Sequence, residues 1–334
     1  MKKNKFTAIA LAIAMVLAAG CSQKTASTDA GKKERTKITF VLDWTPNTNH
    51  TGLFVAQEKG YFKEQGLEVE IIQPTEDSAS LMVASGGAQF GITCQDTMAP
   101  AIIGKDALPI KAVATILQHN TSGIISLKET GIESPKNMAG HNYATWENPV
   151  EQAMIRSIVE ADGGDFDEIT LIPSTVYDTI TALKQDVDSV WIFYAWDGIA
   201  TELQNLETNF LDFRKRNPIF DYYTPVIIGN NEYLEENGEI TKKFLEATKK
   251  GYEYAIENPS ESADILLKAV PELDEELVQA SQEWISKQYK AEVERWGYID
   301  PNRWDAFYDW LSENGLSEEK IPAGTGYTND YLPE

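Results

Sequence analysis

Apolar residues alternate along this chain between short β-branched runs and longer stretches with helical spacing. Ile38-Thr39-Phe40-Val41-Leu42 is apolar enough for a buried strand, and Leu53 to Gly60 predicts a helix closed by its glycine. Glu68 to Ile72 predicts a strand, Ser78 to Ser85 a helix ending at Gly86-Gly87, and Phe90 to Cys94 a strand running into a helical stretch through Met98 and Ile103. Ile110 to Ile116 predicts another strand, and the short apolar run Gly123 to Leu127 marks entry to a second lobe. Ser134 to Gly140 follows as a capped turn of helix. Helix Val150 to Ala161, strand Ile169 to Ile172, helix Asp178 to Lys184 and strand Ser189 to Phe193 then repeat the alternation. Tyr223 to Gly229 has the character of a second crossover strand, and everything from Glu232 onward reads as amphipathic helix. The expected fold class is α/β, a clamshell of two lobes joined by two crossover strands. Residues 37–122 and 227–334 are assigned to lobe one and 123–226 to lobe two. No internal repeat is visible.

The amino terminus adds a place of work. Lys2, Lys3 and Lys5 precede an apolar segment from Ala8 to Ala19, too short to span a bilayer comfortably, and Leu17-Ala18-Ala19-Gly20-Cys21 reads as a lipoprotein cleavage site. Residues 1–20 are therefore expected to be a signal peptide, Cys21 to carry lipid, and the small polar residues 21–36 to act as a tether unable to bury a core. The expected location is the extracytoplasmic face of a cell membrane. Loss of the leader leaves 26 basic against 52 acidic side chains, a charge that repels nucleic acid. Only Cys94 then remains as a side-chain thiol, so stability must come from packing. A chain of this length exceeds the ~250–300 residues at which single cores stop growing, which favours two lobes.

Candidate chemistry collects where strands hand over to helices. Asp43-Trp44-Thr45-Pro46-Asn47-Thr48-Asn49-His50-Thr51-Gly52 places an indole, two carboxamides and an imidazole between an apolar strand and an apolar helix, the position at which open α/β sheets bind ligands. Trp44, Asn47, Asn49 and His50 are the candidates there, with Gln95 beside them at the next strand end and Asp96 as a helix cap. In Trp191-Ile192-Phe193-Tyr194-Ala195-Trp196-Asp197-Gly198, Trp191 and Phe193 belong to the core. Tyr194 and Trp196 could stack on a flat ring, and Asp197 could pair with an amine and a ring nitrogen side by side. Trp146 is a third candidate, in a stretch where Glu151 suits a helix's first turn in any case. The later tryptophans, Trp284, Trp296, Trp304 and Trp310, read as packing residues. With three histidines, no HExxH pair, no clustered cysteines, no Gly-x-Ser-x-Gly elbow and no phosphate loop, neither catalysis nor a metal or cofactor is expected.

Asp43 to Ile71, including Gly60-Tyr61-Phe62-Lys63-Glu64-Gln65-Gly66-Leu67, resembles the thiamine-pyrimidine-precursor binding proteins of bacterial ABC importers, with further likeness at residues 190–199 and looser likeness at 145–165. The resemblance implies a type II periplasmic-binding-protein-like fold. It also implies an aminopyrimidine ligand such as a formylated or hydroxymethyl form, held between the lobes, and a monomer that delivers it to an ABC permease and its ATPase. That family usually has Glu where this chain has Asp197, which puts the exact ligand in question and leaves open another flat heterocycle such as riboflavin. Fungal pyrimidine synthases share the pattern around His50, but their cysteine-rich iron-binding motif has no counterpart here.

Overall fold

Ten strands form among the residues described by a computed structural model of the chain, which are 35–74 and 78–334. The expected leader, Cys21 and the tether up to residue 34 lie outside the described residues. The strands are β1 (Thr36–Val41), β2 (Leu67–Ile72), β3 (Phe90–Thr93), β4 (Ile110–Thr115), β5 (Ser122–Leu127), β6 (Asn142–Thr145), β7 (Thr170–Pro173), β8 (Ser189–Phe193), β9 (Thr208–Asp212) and β10 (Val226–Asn230). They make two five-stranded sheets, ordered β2-β1-β3-β10-β4 and β7-β6-β8-β5-β9.

Both sheets follow one plan. β1 lies parallel to β2 and β3, and β6 lies parallel to β7 and β8. The strand that runs against its neighbours is, in each case, the one that has just crossed from the other sheet: β10 against β3 and β4, β5 against β8 and β9. Two crossovers of this kind define the type II clamshell, and the α/β architecture is present as two mixed sheets. Central strands are buried on both faces, as in β3, where all four residues are buried. The edge strand β2 instead alternates, with Leu67 and Val69 inward and Glu68 and Glu70 outward.

Helices close around these sheets. The helix Gly238–Glu257 presents Phe244 to the first sheet, with ring centroids 4.3 Å from Phe90, 5.6 Å from Phe62 and 5.7 Å from Phe40. It lies so close to the helix Thr51–Glu58 that a Cβ on Gly251 would sit 2.0 Å from the Gly52 carbonyl oxygen, so glycine is required there. Trp296 and Trp304 are fully buried and Trp310 nearly so.

The carboxyl-terminal third departs from the expectation of continuous helix. Helices end at Glu313, residues 286–300 are irregular, and the last stretch lies along the open edge of β4. There the Ala112 N–H donates to the Gly326 carbonyl and Thr328 N–H to the Ala112 carbonyl, both at 2.8 Å. Gly315, Gly324 and Gly326 take positive φ, which ends helical propagation and leaves the segment free to cover a sheet edge.

The two crossings between the sheets are tied to each other. Ile116 N–H donates to the Pro225 carbonyl at 3.0 Å, and Asn120 Nδ2 donates to the Phe220 carbonyl at 2.8 Å. His119 Nδ1 sits 2.6 Å from Asp221 Oδ2, and its Nε2 lies 2.9 Å from Glu292.

Candidate functional site

The loop after β1 is built by its own side chains. Asn47 is the N-cap of the turn Thr48–His50, where its Oδ1 accepts from Asn49 N–H at 2.9 Å. His50 answers from the other end, its Nδ1 accepting from Asn47 N–H at 3.1 Å, so the two residues form a reciprocal box. Because Nδ1 accepts, Nε2 carries a proton, and it donates to Asp43 Oδ1 at 2.8 Å. His50 is completely buried and both its nitrogens are used, so it acts behind the surface by orienting Asp43. Asn47 Nδ2 is bonded to the Thr45 carbonyl at 3.1 Å, and the Asn49 Oδ1 is buried without a partner.

Trp44 is 52% exposed and reaches across to the second lobe. Its indole stacks on Tyr177 with ring centroids 5.9 Å apart and planes 16° from parallel. Tyr177, 80% exposed, comes from the loop between β7 and the helix Thr179–Gln185. The sequence offered a signal for it: Ser174-Thr175-Val176-Tyr177-Asp178 is a polar, aromatic strand-to-helix junction like the one after β1.

At the end of β3, Gln95, expected to meet a ligand, is taken by structural partners, and the N-cap position belongs to Cys94. Gln95 is fully buried, its Nε2 donating to the Trp304 carbonyl and its Oε1 accepting from Tyr223 N–H, both at 2.9 Å. It thus locks the strand end to the segment entering β10 and to the helix Pro301–Glu313, with no amide group left for a ligand. Asp96, expected as a cap, lies in the first turn of the helix Gln95–Ala101, where its carboxyl accepts from the Tyr222 hydroxyl at 3.3 Å through Oδ2 and is drawn to the Thr97 backbone N–H. Burial pushes its pKa above the usual carboxylate range. Burial first, then the charges of Asp96 and Asp43, push the neighbouring Cys94 thiol well above its ordinary value.

The second lobe contributes differently. Tyr194 to Gly198 form a π-helical turn after β8. The wider turn carries Tyr194 away from its expected role of stacking on a ligand. Its ring lies 4.9 Å from Phe210 and 5.3 Å from Trp284, and its hydroxyl donates to Glu202. Trp196, also expected to stack, instead packs partly buried against an apolar cluster built from the first lobe's helices, which includes Phe54, Val55 and Leu266. Asp197 accepts from the Thr179 hydroxyl at 2.8 Å, and burial raises its pKa. That bond ties the turn after β8 to the loop that bears Tyr177.

Trp146 follows β6 and is 45% exposed, its ring 5.6 Å from Trp191. The loop holding it is shaped by Glu151, 3% exposed, whose carboxylate accepts from Tyr143 Oη at 2.6 Å, Thr145 Oγ1 at 3.0 Å and the backbone N–H groups of Trp146 and Asn148. Among the described residues no group of three or more His, Cys, Asp and Glu side chains is gathered so as to hold a metal ion, and no helix is long and apolar enough to cross a membrane.

The structure therefore brings Trp44 to Tyr177 across the lobes, with Asp197 joined to that loop through Thr179. Gln95 and Tyr194 face structural partners. Asp43, Tyr177 and Thr179 are the residues that geometry joins to the sequence-derived candidates, through His50, Trp44 and Asp197 respectively.

Comparison with known proteins gives these features a family. A formylaminopyrimidine-binding protein of Halalkalibacterium halodurans is 30% identical over 98% of this chain and 99% of its own. A 4-amino-5-hydroxymethyl-2-methylpyrimidine phosphate synthase of Saccharomyces cerevisiae is 26% identical over 89% of this chain and 88% of its own. Among solved structures, the periplasmic aliphatic sulphonate binding protein SsuA from Escherichia coli superposes with a TM-score of 0.69 at 14% identity, covering 89% of this chain and 99% of that one, a likeness of fold. The family described as NMT1/THI5 like matches residues 47–262, and the chain belongs to it.

Proposed function

We propose that this protein is the extracytoplasmic solute-binding component of an ABC importer, capturing an aminopyrimidine precursor of thiamine between its lobes and passing it to a permease. The observation that carries this reading is the near full-length relationship to a formylaminopyrimidine-binding protein, on a fold whose strand ends present exposed aromatic rings and buried carboxyls. Trp44 and Tyr177, stacked on each other in this structure, would part to cover the flat faces of the ring, and Trp146 would offer a further exposed face. Asp197 would meet its edge: a carboxyl whose pKa is raised by burial can donate its proton to a ring nitrogen while accepting from the adjacent amine. Ligand contacts to both lobes would favour the closed form through their differential affinity, and the permease would bind that form.

The synthases in the same family make an enzymatic reading the natural competitor. Against it, the Cys94 thiol is held protonated and is a poor nucleophile, and His50 has both nitrogens engaged. The chain is accordingly assigned no catalytic step. Lipid attachment at Cys21 would keep the binding protein beside its permease, with the residues after Cys21 as tether.

The test is a thermal-shift titration of the protein with formylaminopyrimidine, hydroxymethylpyrimidine, thiamine and riboflavin, since a specific ligand raises the melting temperature by mass action. A saturable rise with an aminopyrimidine is expected. A rise with riboflavin alone would overturn the ligand, and no rise with any of the four would overturn the thiamine-precursor reading.

A further inference from the structure

The π-helical turn Tyr194–Gly198 follows a strand of the second lobe but is seated in the first. Val190 and Ile192 of β8 belong to an apolar cluster with Ile125, Ala144 and Leu183, all from the second lobe. A few residues on, buried Ala195 belongs to a first-lobe cluster with Leu53, Ala56 and Tyr252, and Trp196 packs against another built from that lobe's helices. A chain of buried hydroxyls fastens the turn there. The helix Glu275–Ile285 brings Ser281, fully buried, to the Ala195 carbonyl, to which its Oγ donates. The same Oγ lies 2.6 Å from Thr48 Oγ1, also buried. Ser281 has a single hydroxyl proton, already given to Ala195, so Thr48 is the donor in the second bond. Tyr289 Oη donates in turn to the Thr48 carbonyl at 2.5 Å. Thr48 opens the turn whose His50 orients Asp43. Ser281 therefore joins the loop after β1 to the turn that carries Asp197, two regions far apart in sequence and assigned to different lobes.

We propose that Ser281 is a positioning residue for the ligand: it holds Asp197 and the loop after β1 in one fixed relation before a ligand arrives, so that the polar half of the site is set in advance. The proposal rests on the aminopyrimidine reading above and adds how Asp197 is placed. A buried carbonyl or hydroxyl that loses its partner is costly, so the turn is held to the one seat in which Ala195, Ser281 and Thr48 are all satisfied. Asp197 lies two residues beyond Ala195 in the same short turn, and its bond to Thr179 fixes its other side. A shift at Ala195 is thereby passed to the carboxyl. A half-site ordered beforehand removes from binding the cost of ordering the turn.

Isothermal titration of wild type, Ser281→Ala, Asp197→Ala and the double variant with formylaminopyrimidine and hydroxymethylpyrimidine tests the assignment. Ser281→Ala is expected to weaken binding about tenfold when Asp197 is present and less than about twofold when Asp197 is Ala, because its effect passes through that carboxyl. In the ligand-free protein, hydrogen exchange of the peptide covering residues 194–198 is expected to quicken about tenfold in Ser281→Ala while exchange in β8 stays unchanged. Thr48→Val keeps the shape of the side chain but not the proton given to Ser281, and provides a second variant, with a loss in the same direction, should the first fold poorly. Unchanged affinity in both variants, or an equal loss with and without Asp197, would overturn the positioning role while leaving the ligand class intact. Failure of wild type to bind either probe would overturn the ligand class and the positioning role with it.

Discussion

The loop after β1 is closed by its own hydrogen bonds, from Asn47 to His50 and from His50 to Asp43, whereas the loops after β6 and β7 offer two largely exposed rings, Trp146 at 45% and Tyr177 at 80%. The first lobe thus presents one exposed ring, Trp44, beside polar groups fixed by a frame behind them. The second presents apolar faces on loops that are fixed at their bases, by Glu151 below Trp146 and by the Thr179–Asp197 bond beside Tyr177. A flat, polar-edged ligand needs both kinds of wall. On the proposed reading, frame residues govern folding and ring residues govern affinity, and the two classes are separable by experiment.

The largest effect should come from the frame. Gln95→Ala leaves the Tyr223 N–H and the Trp304 carbonyl unpaired in a fully buried setting, and is expected to lower stability by about 3 kcal/mol in urea unfolding. A variant with an unchanged midpoint but weakened ligand binding would return Gln95 to the ligand side of the comparison. Next comes Asp197→Ala, expected to weaken aminopyrimidine binding by about 2 kcal/mol, because the ring nitrogen and the adjacent amine both lose their partner in a buried setting. An unchanged dissociation constant would remove Asp197 from the site.

Smaller still is the coupling across the lobes. Trp44→Ala and Tyr177→Ala, singly and together, form a cycle in which stacking is expected to contribute about 1 kcal/mol to ligand affinity beyond the sum of the single losses. Strict additivity would mean that the two rings act on the ligand independently, if at all.

How much of this was legible in the sequence depends on how locally each feature is decided. The strands and the strand-to-helix junctions were visible, because β-branched runs and capping residues such as Asn47 declare themselves within a few positions. The roles of Gln95 and Asp96 were not, since two adjacent polar residues at one junction look alike until Tyr223 and Trp304, more than a hundred residues away, claim one of them. Tyr194 was misdirected by a π-turn that periodicity does not reveal, and Trp196 by packing against helices of the other lobe. Tyr177 belongs to a junction of the same type as Asp43 to Thr51 but with fewer polar side chains, so its weight became clear only through the stack with Trp44.

The hinge carries the smallest and most condition-dependent effect. His119 lies on the first crossing, Asp221 on the second, and Glu292 and Arg303 come from the segments packed against them. The hydrogen bond to Asp221 is the main cause of the raised His119 pKa, opposed by burial and by the Arg303 charge and reinforced by Glu292, whose own pKa is lowered in return. A folded pKa above the unfolded value of about 6.5 means that the imidazolium stabilises the folded hinge fully below that pH. The contribution is lost as pH rises through the folded-state pKa. Since Glu292 is largely exposed, the whole effect should be about 1 kcal/mol. In thermal melts from pH 5 to 9, His119→Gln is expected to be less stable than wild type at the acidic end, with the gap narrowing toward the alkaline end. A gap independent of pH would mean that the imidazole acts as a neutral hydrogen-bonding and packing element between the two crossings.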